Sequence, residues 1–231
     1  MRIMHILKYI ISFLFFLGTV SLFSQEKEID TAKYKDRYGL RVGIDLFNPV
    51  YALFDDNRKG LEIVADYRIL KRFWIAGELG YMDNTTREDH FTFTTNGSYI
   101  KVGADFNAYK NALGMENMIV VGMRYGVSIF DQTVNEYTIN SDPYLPIHTN
   151  DIPIVYNNLN AHWIEFSLGL KVEVLHNVYM GVAFSGKHII TTKNPDNFKN
   201  LFIPGFNRVY VNDFGFGINY TISYLIPFYR K

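Results

Sequence analysis

Cysteine is missing from all 231 residues, which excludes a disulfide scaffold, a thiolate metal site, a cysteine nucleophile and a lipidated N-terminal cysteine anchor. An excess of charge of either sign is missing too, because 23 Lys and Arg meet 23 Asp and Glu. A neutral chain has no basic footprint for nucleic acid, so no nucleic-acid partner is expected. Charged residues make up 20% of the chain and apolar residues 48%. That balance is too apolar for disorder, and the charges are too evenly interspersed for a helical membrane bundle. Proline is scarce, at seven residues. What is abundant is glycine (17) and aromatic side chains (19 Phe, 17 Tyr, 2 Trp), in a chain of single-domain length.

Long apolar runs are also missing, except for one at the start. Arg2 and Lys8 precede the almost wholly apolar residues 9–23, and Ser24 stands before the polar Gln25-Glu26-Lys27. A charged start, an apolar stretch and a small residue before a polar switch predict a secretory signal peptide over residues 1–24. Its removal takes away Arg2 and Lys8 and leaves 21 basic against 23 acidic residues. Residues 25–36 read as a polar tail. No second run is long enough to cross a membrane as a helix.

From residue 37 onward the apolar period is 2, and the pattern recurs eight times. The runs are Tyr38 to Leu46, Leu61 to Ile69, Phe73 to Tyr81, Ile100 to Phe106, Ile119 to Ile129, Ile164 to Val174, Val178 to Lys187 and Phe214 to Tyr224. Each predicts a strand of the length a tilted strand needs to cross a bilayer. Alternation alone would also suit a soluble barrel with an apolar interior. The two faces decide between these readings. One is apolar without a charge; the other carries Arg41, Arg68, Lys101, Arg124, Lys171 and Lys187 with eight acids, counting Asp213. Ten glycines share the charged face. Glycine weakens a solvent-facing strand, but it fits a crowded, narrow lumen.

The connections alternate in length. Leu70 to Arg72, about Asn107 to Asn117, and Leu175 to Asn177 are short; Phe47 to Gly60, Met82 to Gly97, Phe130 to about Ala161, and about His188 to Val211 are long. Six prolines fall in the long links, and Pro227 is read as ending the last strand. The tight turns set facing residues: Arg68 by Trp74, Val64 by Glu78 and Glu62 by Gly80 in one hairpin, Glu165 by Lys187 and Ser167 by Ser185 in another.

In strand count, alternation and loop asymmetry, residues 37–228 resemble the small outer-membrane barrels of the OmpA-transmembrane and OmpX type, and more closely an uncharacterised envelope-barrel family. The last strand fits their assembly signal loosely, with Gly217, Tyr220, Ile222, Tyr224 and Phe228; Pro227 and the trailing Tyr229-Arg230-Lys231 depart from it. The resemblance implies an all-β fold, an eight-stranded antiparallel transmembrane β-barrel built as an up-and-down meander. It also implies short turns and a tail (25–36) in the periplasm, long loops outside, and a monomer in the cell outer membrane. Outer-membrane lipid and lipopolysaccharide would surround it, and the barrel-assembly machinery would insert it.

Few residues offer chemistry. Arg41, Asp66, Arg68, Glu78, Lys101, Asp105, Arg124, Glu165, Lys171 and Lys187 are read as a luminal charge network. A closed lumen must pair its charges, which makes a salt-bridged plug; an ion path is the alternative. His162 and His188 fall on the lipid-facing register near the rim, with His162 expected opposite Ile190 and His188 opposite Ile164. That position would suit lipid or phosphate contact, and a lipid-modifying enzyme would need an acid and a nucleophile beside them. Neither shares their face, and Ser128, Ser167 and Ser185 read as small lumen fillers. Tyr144, Tyr156, Phe202 and Phe206 belong to loops too apolar to stay wet, so they make either a lid over the mouth or a binding surface. Asp30-Thr31-Ala32 resembles an O-glycan acceptor triplet. No catalytic set, metal site or cofactor is expected. The reading is an integral outer-membrane protein with a structural or interaction role, with a narrow channel or a lipid-modifying enzyme as alternatives.

Overall fold

The computed structural model describes residues 35–88, 91–111, 115–139, 148–150, 152–195 and 199–230. The expected signal peptide, residues 25–34 of the expected tail with the Asp30-Thr31-Ala32 triplet, and Tyr144 lie outside the described residues.

Eight long antiparallel strands carry the fold: β1 (Arg37–Asp45), β2 (Arg58–Leu70), β3 (Phe73–Glu88), β4 (Phe91–Asn107), β5 (Met118–Ile139), β7 (Ile154–Leu175), β8 (Val178–Thr192) and β11 (Phe214–Arg230). Between them lie α1 (Phe47–Tyr51), β6 (His148–Asn150), β9 (Phe202–Ile203), β10 (Asn207–Arg208) and a 3₁₀ turn (Val211–Asp213). Each long strand pairs with the next in sequence, and β11 pairs with β1, so the ladder returns on itself as a hydrogen-bonded ring of eight strands. A ring leaves no edge strand to recruit another chain.

The tight turns fix the register. Arg68 faces Trp74, Val64 faces Glu78 and Glu62 faces Gly80. In the β7–β8 hairpin Glu165 faces Lys187 and Ser167 faces Ser185. Asn177 closes that hairpin at φ 65°, a left-handed position that asparagine tolerates.

Several strand boundaries differ from the expectation. The segments 82–97 and 130–161, read as long links, are mostly strand: β3 and β4 run on to Glu88 and Phe91, β5 and β7 to Ile139 and Ile154. These extensions carry Thr85, Thr86, Thr92, Thr94, Thr95 and Thr133. Their β-branched side chains keep the backbone pleated, but threonine, asparagine and glutamine interrupt the inward face of Met82, Phe93, Phe130 and Val134, which weakens the alternation signal. Pro227 does not end the last strand, which continues to Arg230; a bulge beside Tyr38 and Gly39 seats the proline opposite Gly39 and absorbs its missing donor. Asp213, expected on the charged strand face, belongs to the 3₁₀ turn instead.

The two faces are sorted as the alternation requires. Outward positions are large and apolar, with Leu79 57%, Met123 66% and Phe184 60% exposed. Aromatic contacts cluster toward both ends of this face. Phe73–Phe106 and Tyr67–Phe228 lie at the turn end, and His188–Phe214 and Tyr210–Phe216 at the loop end. Inward positions alternate large side chains with glycines that make room for them. A Cβ on Gly80 would stand 2.3 Å from the Tyr99 ring, one on Gly126 2.2 Å from Trp163, and one on Gly215 2.4 Å from Phe206.

Candidate functional site

The inside of the ring is filled in three tiers. In the tier nearest the short turns, the Arg68 guanidinium lies over the rings of Tyr38 and Trp74, at 4.9 and 5.0 Å. Arg41 lies over Trp74 and Tyr179, at 5.7 and 4.9 Å. Asp66 takes two cations, one oxygen accepting from Arg41 Nε and the other from Lys171 Nζ, each at 2.7 Å. Arg37 closes this end by donating to Glu116 at 3.1 Å and Asn177 at 2.8 Å, and by pairing with Glu173. Arg68 donates to the carbonyls of Arg37 and Lys71, at 3.0 and 2.7 Å.

The middle tier is a chain of five charges. Lys101 sits between Glu62, at 3.0 Å, and Glu78. Glu78 also accepts from Arg124 Nε at 3.2 Å, and Arg124 Nη1 lies 2.8 Å from Asp105 Oδ1 in an ion contact off the hydrogen-bonding direction. The Tyr99 hydroxyl donates to Glu62 at 2.6 Å, and the Asn219 amide to its other oxygen at 3.1 Å. Alternating signs let each buried charge keep a counter-charge, which is the condition for burying it at all. Beside this chain lies a cavity of about 80 Å³ lined in part by Asp66, Arg124, Glu165 and Lys171. Its size and polarity suit a few waters.

The upper tier is apolar. The segment 201–209 turns back into the mouth, with Gly205 at φ 79° at its tip. Ile203 and Phe206 are fully buried there, in a cluster with Trp163, Tyr99, Met82, Phe93 and Phe130. Trp163 meets Phe206 edge to face at 5.9 Å. Lys187 joins the tiers: its Nζ donates to the Gly205 carbonyl at 2.7 Å and lies 3.6 Å from Glu165.

All ten residues of the expected charge network line the interior, but they form separate groups rather than one. Arg41, Asp66 and Lys171 are the first group, Glu78, Lys101, Asp105 and Arg124 with Glu62 the second, and Glu165 with Lys187 the third. Arg68 is held mainly by carbonyls and rings. His188 faces Ile164 as expected, but His162 does not face Ile190. A bulge between His162 and Trp163 pairs His162 with Thr191 rather than Ile190, because Trp163 turns inward to the apolar cluster. His162 Nδ1 lies 3.0 Å from the Tyr125 hydroxyl and His188 packs on Phe214, so different aromatic partners take up the two rings. The loop residues need a larger correction. Phe202 and Phe206 form no surface, because the segment that carries them is drawn into the ring. Tyr156 is half-buried against the same cluster.

Glu62, Tyr99 and Trp163 are site residues that the sequence reading does not single out. Each had a signal, since Glu62 alternates with Asp66, Tyr99 with Lys101 and Trp163 with Glu165 on one strand face. Glu116 had none, because it precedes its strand. Among the described residues no group of three or more His, Asp or Glu could hold a metal.

Residues 6–231 match the family described as "Domain of unknown function (DUF6048)". The chain belongs to that family. No curated protein matches its sequence. A solved structure, Ail, the attachment invasion locus protein of Yersinia pestis, is similar with a TM-score of 0.40 and 8% identity, over 83% of this chain and 98% of that chain.

Proposed function

We propose that this member of the DUF6048 family is an integral outer-membrane β-barrel with a structural or surface-interaction role, its interior closed by salt bridges and its long hairpins presented outward. One observation carries the reading: the polarity of the ring is inverted, with charges buried inside and large apolar side chains outside. In water such a face would aggregate, whereas in a bilayer it is the required one. The band has the right height. Phe73 and Tyr81 lie eight residue steps apart on β3, about 26 Å along the strand at about 3.3 Å per residue. A tilt of about 40° leaves about 20 Å along the axis, against about 25 Å for known barrels. In this reading residues 1–24 direct export and the assembly machinery inserts the chain.

The closed interior favours an interaction role over transport, because Phe206, Ile203 and Trp163 fill the ring at one level and the Lys101 chain at another. Expression with the native leader, followed by membrane fractionation and electrophoresis with and without boiling, tests the membrane assignment. The expected result is outer-membrane recovery and a heat-dependent shift in gel mobility. A soluble periplasmic protein without that shift would overturn it. In planar bilayers no stable conductance is expected; regular steps that change when Arg124 is neutralised would refute the closed interior.

A further inference from the structure

The loop end of the ring holds a second cavity, of about 530 Å³, between α1, the extended β3–β4 hairpin and the 201–209 segment. That is within the about 300–1,000 Å³ of small-molecule sites. Arg58 is on its wall. The guanidinium lies over the rings of Phe47, Tyr51 and Phe202, at 5.5, 5.3 and 5.9 Å. Two of its N–H groups are fixed by amide carbonyls, Nε by Asn48 Oδ1 and Nη2 by Asn207 Oδ1, both at 3.0 Å. Arg37, Arg41 and Arg124 each hold a carboxylate; among the described residues Arg58 holds none. The two acids whose charge acts most on Arg58, Asp55 and Asp45, are engaged elsewhere. Asp55 accepts from the Asn57 backbone and side-chain amides, which keep its carboxyl below the usual carboxylate range. Asp45 accepts from the Phe47 N–H at 2.6 Å and pairs with Asn219.

An arginine carries five N–H donors, so three remain on a guanidinium that rings and amides already hold in place. The rest of the wall is not that of a bare ion site. Tyr51 and Phe91 offer flat apolar faces, Asn84 and Thr86 neutral polar groups, and Arg208 a second cation shared with Glu88 at 2.9 Å. The cavity is also far larger than an inorganic anion needs.

We infer that this cavity binds a saccharide bearing an anionic group, with the carboxylate or phosphate on Arg58, the C–H face of a sugar ring against Tyr51 or Phe91, and hydroxyls toward Asn84 and Thr86. A charged fork to an oxyanion is the strongest polar contact available there, and aromatic faces add contact area at little entropic cost. The inference rests on the barrel reading, which turns this end of the ring to the outside.

Calorimetric titration of the detergent-solubilised full chain tests it with four probes: trigalacturonate, its methyl ester, glucose 1-phosphate and inorganic phosphate. Trigalacturonate or glucose 1-phosphate is expected to bind, and whichever does so identifies the anionic group. The methyl ester and inorganic phosphate are each expected to bind at least tenfold more weakly. Arg58→Gln should abolish the preference for the charged sugar, and Phe91→Ala should weaken the sugar but not inorganic phosphate. Equal binding of acid and ester, equal binding of sugar and inorganic phosphate, or an unchanged Arg58→Gln would overturn the inference. So would no binding by a sample that keeps its heat-dependent gel shift. A sample without that shift would refute the barrel reading itself, so the two failures are told apart before titration begins.

Discussion

Lys101 is 1% exposed and neutralises two carboxylates that have little water to turn to. Lys101→Met keeps the bulk and removes the charge. Breaking one partner out of a buried pair costs about 3–5 kcal/mol, and denaturant unfolding in micelles should register a loss of that size. Lys187 differs, since its carboxylate lies at 3.6 Å and its firmest bond is to the Gly205 carbonyl. Lys187→Met should therefore free the 201–209 segment more than it lowers global stability, and proteolysis at the loop end is the measurement that reads it. Glycine acts at this scale through the space it leaves. Gly126→Val would drive a side chain into Trp163. Overpacking of that kind costs about 1–3 kcal/mol, seen as earlier unfolding and a shift in tryptophan emission.

Among the elements, the β7–β8 hairpin turns on two residues, His176 and Asn177, which fixes which side chains face each other across it. Ser167 and Ser185 face each other inside the ring. In a chain without cysteine, Ser167→Cys with Ser185→Cys should close a disulfide on mild oxidation, since cross-strand partners lie within bonding range. The pair Ser167→Cys with Gly181→Cys, four residues out of register, should not, and non-reducing mass spectrometry of peptides separates the outcomes. The hairpins at the other end follow different rules. There β3, β4, β5 and β7 extend past the outer apolar band on threonine-rich sequence, which favours the pleat by propensity and pairing, while Met82, Phe93, Phe130, Val134 and Leu159 pack inward. The 201–209 segment adds to that inward packing from a loop. It puts its apolar residues inside the ring, where they replace the water that a wide mouth would otherwise hold.

For the whole molecule, the decisive contrast is between the two faces of the ring. Leu79→Arg on the outer face should cost about 2–4 kcal/mol in a bilayer, while the same change in a water-exposed strand would be nearly neutral; reversible unfolding in lipid vesicles checks this. Much of this architecture was legible beforehand, because period-2 alternation reports which residues share a face whatever lies beyond it. Strand number, the sides of Arg41, Asp66, Lys101 and Arg124, and the registers around the two-residue turns follow from local pattern and chain geometry. Sequence pattern could not say how the charges divide into groups, because that depends on side chains reaching across the ring between strands far apart in the chain: Arg41 and Lys171 meet on Asp66 across 105 residues on one side. Nor could it place Phe202 and Phe206, since apolar residues in a loop have the same composition whether they face solvent or fold inward. Alternation therefore determined which residues share a face, and the glycines among the charges assigned that face to the inside. Tertiary closure decided what fills the ring, and among the described residues it left Arg58 at the mouth without a carboxylate, because only closure brings α1, β2 and the 201–209 segment together.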